Sequence, residues 1–169
     1  MSDSDLTFFI LKRDIPKDSE KPEYVMKILY INHYAGSKYE AKSKNILDQL
    51  HVIPGQPHDR IPDWINAADV VILPSLSEGF PSIITETLAC GRPVVANNVG
   101  GIPERITKEV GLLVQSGDLK AFAGAFIEAL NHHWDPAKIQ ANATDLTWKS
   151  SSLKHLKIYE NLVKDTARG

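Results

Sequence analysis

Residues 77–93 read SEGFPSIITETLACGRP and set two carboxylates, Glu78 and Glu86, eight positions apart around Gly79-Phe80-Pro81-Ser82. A helix opened by Pro81 leaves its first amides unpaired, and with the positive end of its dipole they attract an anion, a diphosphate above all. Ser82, Thr85 and Glu86 fall on one face of such a helix, Ile84 and Leu88 on another. Glu86 then lies one turn deeper than the amides and can accept hydrogen bonds from a ribose-like diol. Glu78, ahead of the helix, can accept from sugar hydroxyls on the other side of the phosphates. Two acids flanking an anion site suit a ligand with a sugar at each end, which describes a nucleotide diphosphate sugar. A plainer reading stands beside it: carboxylates near helix starts offset the dipole, and this spacing also arises by chance.

The elements that must position these groups alternate along the chain. Apolar runs at 6–11 (LTFFIL), in MKILYINHYAGS up to His33, and at 51–55 (HVIPG) read as strands, as do VVIL at 70–73, RPVVA and GLLV at 111–114. Helices are expected over 37–50, 59–69, 81–90 and about 148–164, with a short one in GGIPERI opened by Pro103. Asp118 caps a further helix with Leu119, Phe122, Phe126 and Leu130 at helical steps. Leu153, Leu156, Ile158, Tyr159 and Leu162 on the last helix are available for docking. This alternation predicts an α/β fold, a single Rossmann-like domain over residues 1–169 with a parallel β-sheet and helices on both faces. In such sheets ligands sit beyond the carboxyl ends of the strands. LPSLSEGFPS and ANNVGGIPE leave neighbouring strands at that edge, and Gly79, Gly100 and Gly101 let backbone come close to a ligand.

Composition bounds the rest. The 169 residues hold 43% hydrophobic and 24% charged side chains, with 19 basic against 21 acidic, which argues against a nucleic-acid partner. No apolar run is long enough for a membrane span, and the acidic start MSDSDLTFFILKR is unlike a signal peptide, so the cytoplasm is the expected compartment. The lone Cys90 reads as a packing residue and forms no internal disulfide. The six histidines lack metal spacing: His132-His133 reads as a surface pair and His33 as a structural residue. Trp64, Trp134 and Trp148 read as helix-packing anchors. Asp3-Ser4-Asp5 matches a D-x-D metal pattern but sits at the terminus and is set aside. No metal and no cofactor are expected.

The run IPDWINAADVVILPSLSEGFPSIITETLACGRPVVANNVGGIPERI, its continuation GLLVQSGDLKAFAGAF and the closing LTWKSSSLKHLKIYENLV carry a resemblance over about residues 51–164. In order and spacing they resemble the donor-binding, C-terminal half of the family-four (group 1) retaining glycosyltransferases of the GT-B fold. The resemblance implies transfer of a sugar from a UDP- or GDP-linked donor to an acceptor glycan, lipid or small molecule, with retention of configuration and without a metal. By position it makes Glu78 the catalytic residue at the donor sugar. Gly79, Phe80, Pro81 and Ser82 line the sugar and diphosphate, and Glu86 holds the ribose. The loop at Gln56-Pro57 runs along the base. Arg13 and Lys17 are the nearest equivalents of the family's basic pair on the diphosphate, although Lys12 stands where the family has glycine and the spacing is altered. By themselves those two residues read as solvated loop charges.

Two departures shape the expectation. The family's enzymes have two Rossmann-like domains and this length has room for one, while residues 1–50 are abbreviated or atypical. The chain therefore reads as a donor-domain piece that turns over poorly without an N-terminal acceptor domain. The alternatives are a noncatalytic nucleotide-sugar-binding module, a donor subunit completed by a separate acceptor-domain partner, or a GT-B epimerase or phosphorylase relative.

Overall fold

The computed structural model describes the backbone of residues 7–12, 27–32 and 50–53 and residues 57–166, with side chains over 57–164. Its strands are β1 (Thr7–Lys12), β2 (Lys27–Asn32), β3 (Leu50–Ile53), β4 (Val70–Leu73), β5 (Val94–Asn97) and β6 (Gly111–Val114). The helices are α1 (Ile61–Ala67), α2 (Ser82–Ala89), α3 (Leu119–Asn131), α4 (Pro136–Ala141) and α5 (Trp148–Thr166). Short 3-10 turns cover His58–Arg60 and Ile102–Glu104. The helix expected over 37–50 lies outside the described residues except where Leu50 opens β3.

The six strands form one sheet in the order β3-β1-β2-β4-β5-β6. From β2 to β6 every pairing is parallel, with Val71 opposite Val94 and Val95 opposite Leu112. The Rossmann-like α/β reading holds there. β1 departs from a wholly parallel sheet, running antiparallel to both β2 and β3. A parallel neighbour needs a covering crossover of a dozen or more residues, usually a helix. The sequence between β1 and β2 is polar, holds two prolines and has no helical apolar pattern. That was the signal for a reversed strand.

β4 and β5 are buried on both sides, which is why they read as unbroken apolar runs. Side chains alternate across a strand, so Val71, Leu73, Val94 and Ala96 face Ile61 and Ile65 of α1, Ile84 and Leu88 of α2 and Ile139 of α4. Val70, Ile72 and Val95 face the other way, onto Phe122, Phe126, Ala129 and Leu130 of α3. Helices thus cover both faces. Fully burying a side chain such as Leu88 contributes roughly 1.5–3 kcal/mol.

Local chemistry sets the helix ends. Asp118 caps α3 as expected, its carboxylate accepting from the Ala121 amide at 2.8 Å. Leu119, the first residue after the cap, does not join the α3 stripe but stays 83% exposed, and burial begins at Phe122. Pro103 is the second residue of its 3-10 turn, after Ile102. α4 was not expected, although Asp135 before Pro136 is a capping signature, and Asp135 accepts from the Ala137 and Lys138 amides. On α5, Leu153, Leu156, Ile158, Tyr159 and Leu162 are each more than half exposed. Among the described residues no helix is long and apolar enough to cross a membrane.

Candidate functional site

The loop leaving β4 and the loop leaving β5 meet at the carboxyl edge of the sheet. Asn97, buried at the end of β5, donates through Nδ2 to the Ser75 carbonyl at 3.1 Å and pins the first loop to the second. The Gly101 amide donates to the Gly79 carbonyl at 2.8 Å. Gly100 adopts a left-handed φ of 54°, and a Cβ there would run into the Glu78 carbonyl. These two glycines therefore spend their missing side chains on the Glu78–Gly79 backbone. Gly79 is different: a Cβ built on it meets nothing within 4 Å, so its open side is free for a ligand.

Pro81 is the N-cap of α2, in an extended conformation, and no side chain caps the helix start. The Ile84 amide donates to the Pro81 carbonyl at 3.3 Å, which leaves those of Ser82 and Ile83 for water or an anion. Ile83, Ile84, Thr87 and Leu88 turn into the protein, whereas Ser82, Thr85 and Glu86 line a cavity of about 520 Å³. The split of faces expected from the sequence is the split observed. At the far end Gly91, with φ 70°, lets its own amide donate to the Leu88 carbonyl and the Arg92 amide donate to that of Thr87, a Schellman-type stop.

The cavity brings together Phe80, Ser82 and Glu86 of the expected site residues. Glu78, Gly79 and Pro81 belong to the turn beside it but not to its wall, and Glu78 is partly buried. Pro57 is exposed and precedes the 3-10 turn whose His58 does line the cavity. Arg13, Lys17 and Gln56 lie outside the described residues, as do His33 and Asp3-Ser4-Asp5.

Several wall residues were not anticipated. Arg105 stands with Cζ 4.5 Å from the centroid of the Phe80 ring. The opposite wall comes from Asp145 to Trp148 together with Ser151 and Lys154. Trp148 is 91% exposed and so is not a packing anchor: it starts α5 at the cavity rim. Trp64 and Trp134 do pack, the latter donating from Nε1 to the Ala129 carbonyl at 2.8 Å. No periodicity marks the far wall, because its residues meet α2 only through tertiary packing.

Cys90 packs at the edge of the core below α2. Burial pushes its thiol pKa up, the Glu86 carboxylate adds to this, and Arg92 offsets part of it. A thiol kept protonated is a poor nucleophile, in keeping with a packing role. His132 and His133 are exposed, His132 lying against the Trp134 ring at 4.3 Å. Among the described residues no group of three or more His, Cys, Asp or Glu side chains is placed to hold a metal ion.

Parallel strands ending in a braced glycine turn, an uncapped helix start and a cavity beside it define the Rossmann-like α/β class that makes up half of a GT-B protein. The family model described as glycosyl transferases group 1 matches residues 13–146, and the chain belongs to that family. A D-inositol 3-phosphate glycosyltransferase of Catenulispora acidiphila is 31% identical over 132 residues, covering 73% of this chain and 31% of that relative. The solved sucrose-phosphate synthase of Thermosynechococcus elongatus is similar with a TM-score of 0.65 and 25% identity, over 82% of this chain and 38% of that one. Anabaena Alr3699/HepE, solved in complex with UDP, is similar with a TM-score of 0.58 and 25% identity, over 76% and 36%. The chain thus spans about a third of the length of these relatives.

Proposed function

We propose that the chain is the donor-binding, C-terminal half of a retaining glycosyltransferase that takes a sugar from a nucleotide diphosphate sugar. The observation that carries this reading is the α2 start: uncapped amides open beside a cavity walled by Ser82, Thr85 and Glu86, under a turn held by Gly100 and Gly101. The diphosphate sits at those amides, where fixed dipoles stabilise the charge that grows as the sugar departs. Glu86 accepts from the ribose hydroxyls and Glu78 from the donor sugar, steadying it as positive charge develops. Pro57 and its neighbours run along the base, and Arg13 and Lys17 add charge at the diphosphate. The UDP held by the Anabaena relative puts UDP-linked donors first, GDP-linked ones second. No metal takes part. The acceptor site comes from an N-terminal domain of the kind that the longer relatives have room for, and the cytoplasm is the compartment.

Calorimetry against UDP- and GDP-sugars tests the donor site. Glu86→Ala is expected to weaken nucleotide affinity about tenfold or more, the loss of hydrogen bonds to a charged group. Glu78→Ala should leave nucleotide binding nearly intact and chiefly reduce sugar transfer once an acceptor domain is supplied. Anomeric configuration of the product, read by NMR, tests retention. If both variants bind every sugar nucleotide as well as the parent does, the site assignment is wrong.

A further inference from the structure

Arg105 follows the 3-10 turn after β5 and so comes from a different loop than Glu78 and Phe80. Its guanidinium lies over the Phe80 ring at 4.5 Å, a cation–π contact that holds it at the cavity wall. Its Nε is buried and has no hydrogen-bond partner, and neither salt bridge found among the described residues includes it. A guanidinium keeps its charge and its five donors at any ordinary pH. Partly buried without an acceptor, such a group carries a desolvation cost that an arriving anion removes. Two acids, Glu86 and Asp145, share the cavity wall, yet neither stands within ion-pair distance of Arg105. Ser82, at the uncapped start of α2, shares that wall too, so Arg105 and the first residue of the helix border one space.

We infer that Arg105, carried on the Phe80 ring, is a phosphate-binding residue of the donor site. Its planar fork matches phosphate oxygens, which a point charge does less well. Set beside the α2 amides, it adds a full positive charge where the helix offers only partial ones. Phe80 thereby acts as a positioning residue for Arg105. The inference rests on the donor-binding reading and names a cation for it that comes from the loop after β5.

The test is calorimetric titration of the parent, Arg105→Gln and Arg105→Lys with UDP, GDP, their nucleosides uridine and guanosine, and inorganic pyrophosphate as a base-free probe. Arg105→Gln is expected to lose about tenfold to a hundredfold in affinity for the preferred diphosphate and for pyrophosphate. Affinity for the nucleoside should stay within about twofold, because no phosphate is lost from that contact. Arg105→Lys should recover part of the loss, keeping charge without the fork. Phe80→Leu should show a smaller loss with the same selectivity, and it carries the test if circular dichroism shows Arg105→Gln unfolded. Equal losses for nucleoside and diphosphate would mark a merely structural role and overturn the inference. Unchanged diphosphate and pyrophosphate affinity would overturn it as well while leaving the donor-binding reading standing. A folded parent that binds none of the nucleotides would remove both.

Discussion

The loop after β4 leaves Gly79 facing open space, whereas the loop after β5 folds Gly100 and Gly101 down onto the first loop's backbone. As sequence the two are near twins, each a glycine followed by a proline that opens a helical turn. The first keeps Leu76 76% exposed and presents an uncapped helix start; the second ends in a turn whose Ile102 is fully buried. A glycine's freedom is thus a permission, and tertiary neighbours decide whether a ligand or another strand of backbone uses it.

Replacing the glycines one at a time tests that division most sharply. Gly100→Ala forces a side chain into a left-handed backbone, costing roughly 1–3 kcal/mol before the clash with the Glu78 carbonyl is added. We expect a clear drop in the urea midpoint together with loss of nucleotide binding. Gly79→Ala should change stability by no more than about 0.5 kcal/mol, while lowering donor affinity if a ligand occupies the open side. Equal destabilisation by both would erase the contrast.

Asn97→Ala removes the link from β5 to the Ser75 carbonyl and should cost about 1 kcal/mol. The loss should appear in urea titrations and also as weaker donor binding, since the first loop loses its anchor. Full stability in this variant would mean that the two glycines brace the loop alone.

The smallest effect concerns Cys90, just past α2. Folding raises its thiol pKa, through burial first and the Glu86 carboxylate second, with Arg92 opposing. The folded chain therefore holds this proton more tightly than the unfolded chain. The stability so contributed is present at neutral pH and is lost as pH rises through the raised value. Alkylation by iodoacetamide should be slower in the native chain, with its rate rising at higher pH than in the unfolded chain. Glu86→Gln should move that profile part of the way down, leaving the share due to burial. Identical profiles for native and unfolded chains would contradict the assignment.

Much of the frame is legible in the sequence because it follows local rules. β4 and β6 begin and end where their apolar runs do, and α2 shows its buried and polar faces through Ile84 and Leu88 against Ser82, Thr85 and Glu86. The direction of β1 escaped, since an apolar run reads the same whichever way it pairs and only the polar, proline-bearing link carried the information. The far cavity wall from Asp145 to Lys154 and the seat of Arg105 on Phe80 escaped for a related reason. They are meetings between distant segments, and no periodicity or cap announces them. Trp148 shows the limit from the other side: a large aromatic suggests packing, yet its place at the first turn of α5 leaves it at the rim.

The bond from the Gly101 amide to the Gly79 carbonyl reaches one atom pair further than it first shows. The Gly79 carbonyl and the Phe80 N–H belong to one flat, trans unit, in which the two groups point in opposite directions. Anchoring one end sets the other like the far arm of a rigid lever. The Phe80 N–H is therefore aimed away from the Gly101 amide before any ligand arrives, and a partner that needs that donor finds it already turned.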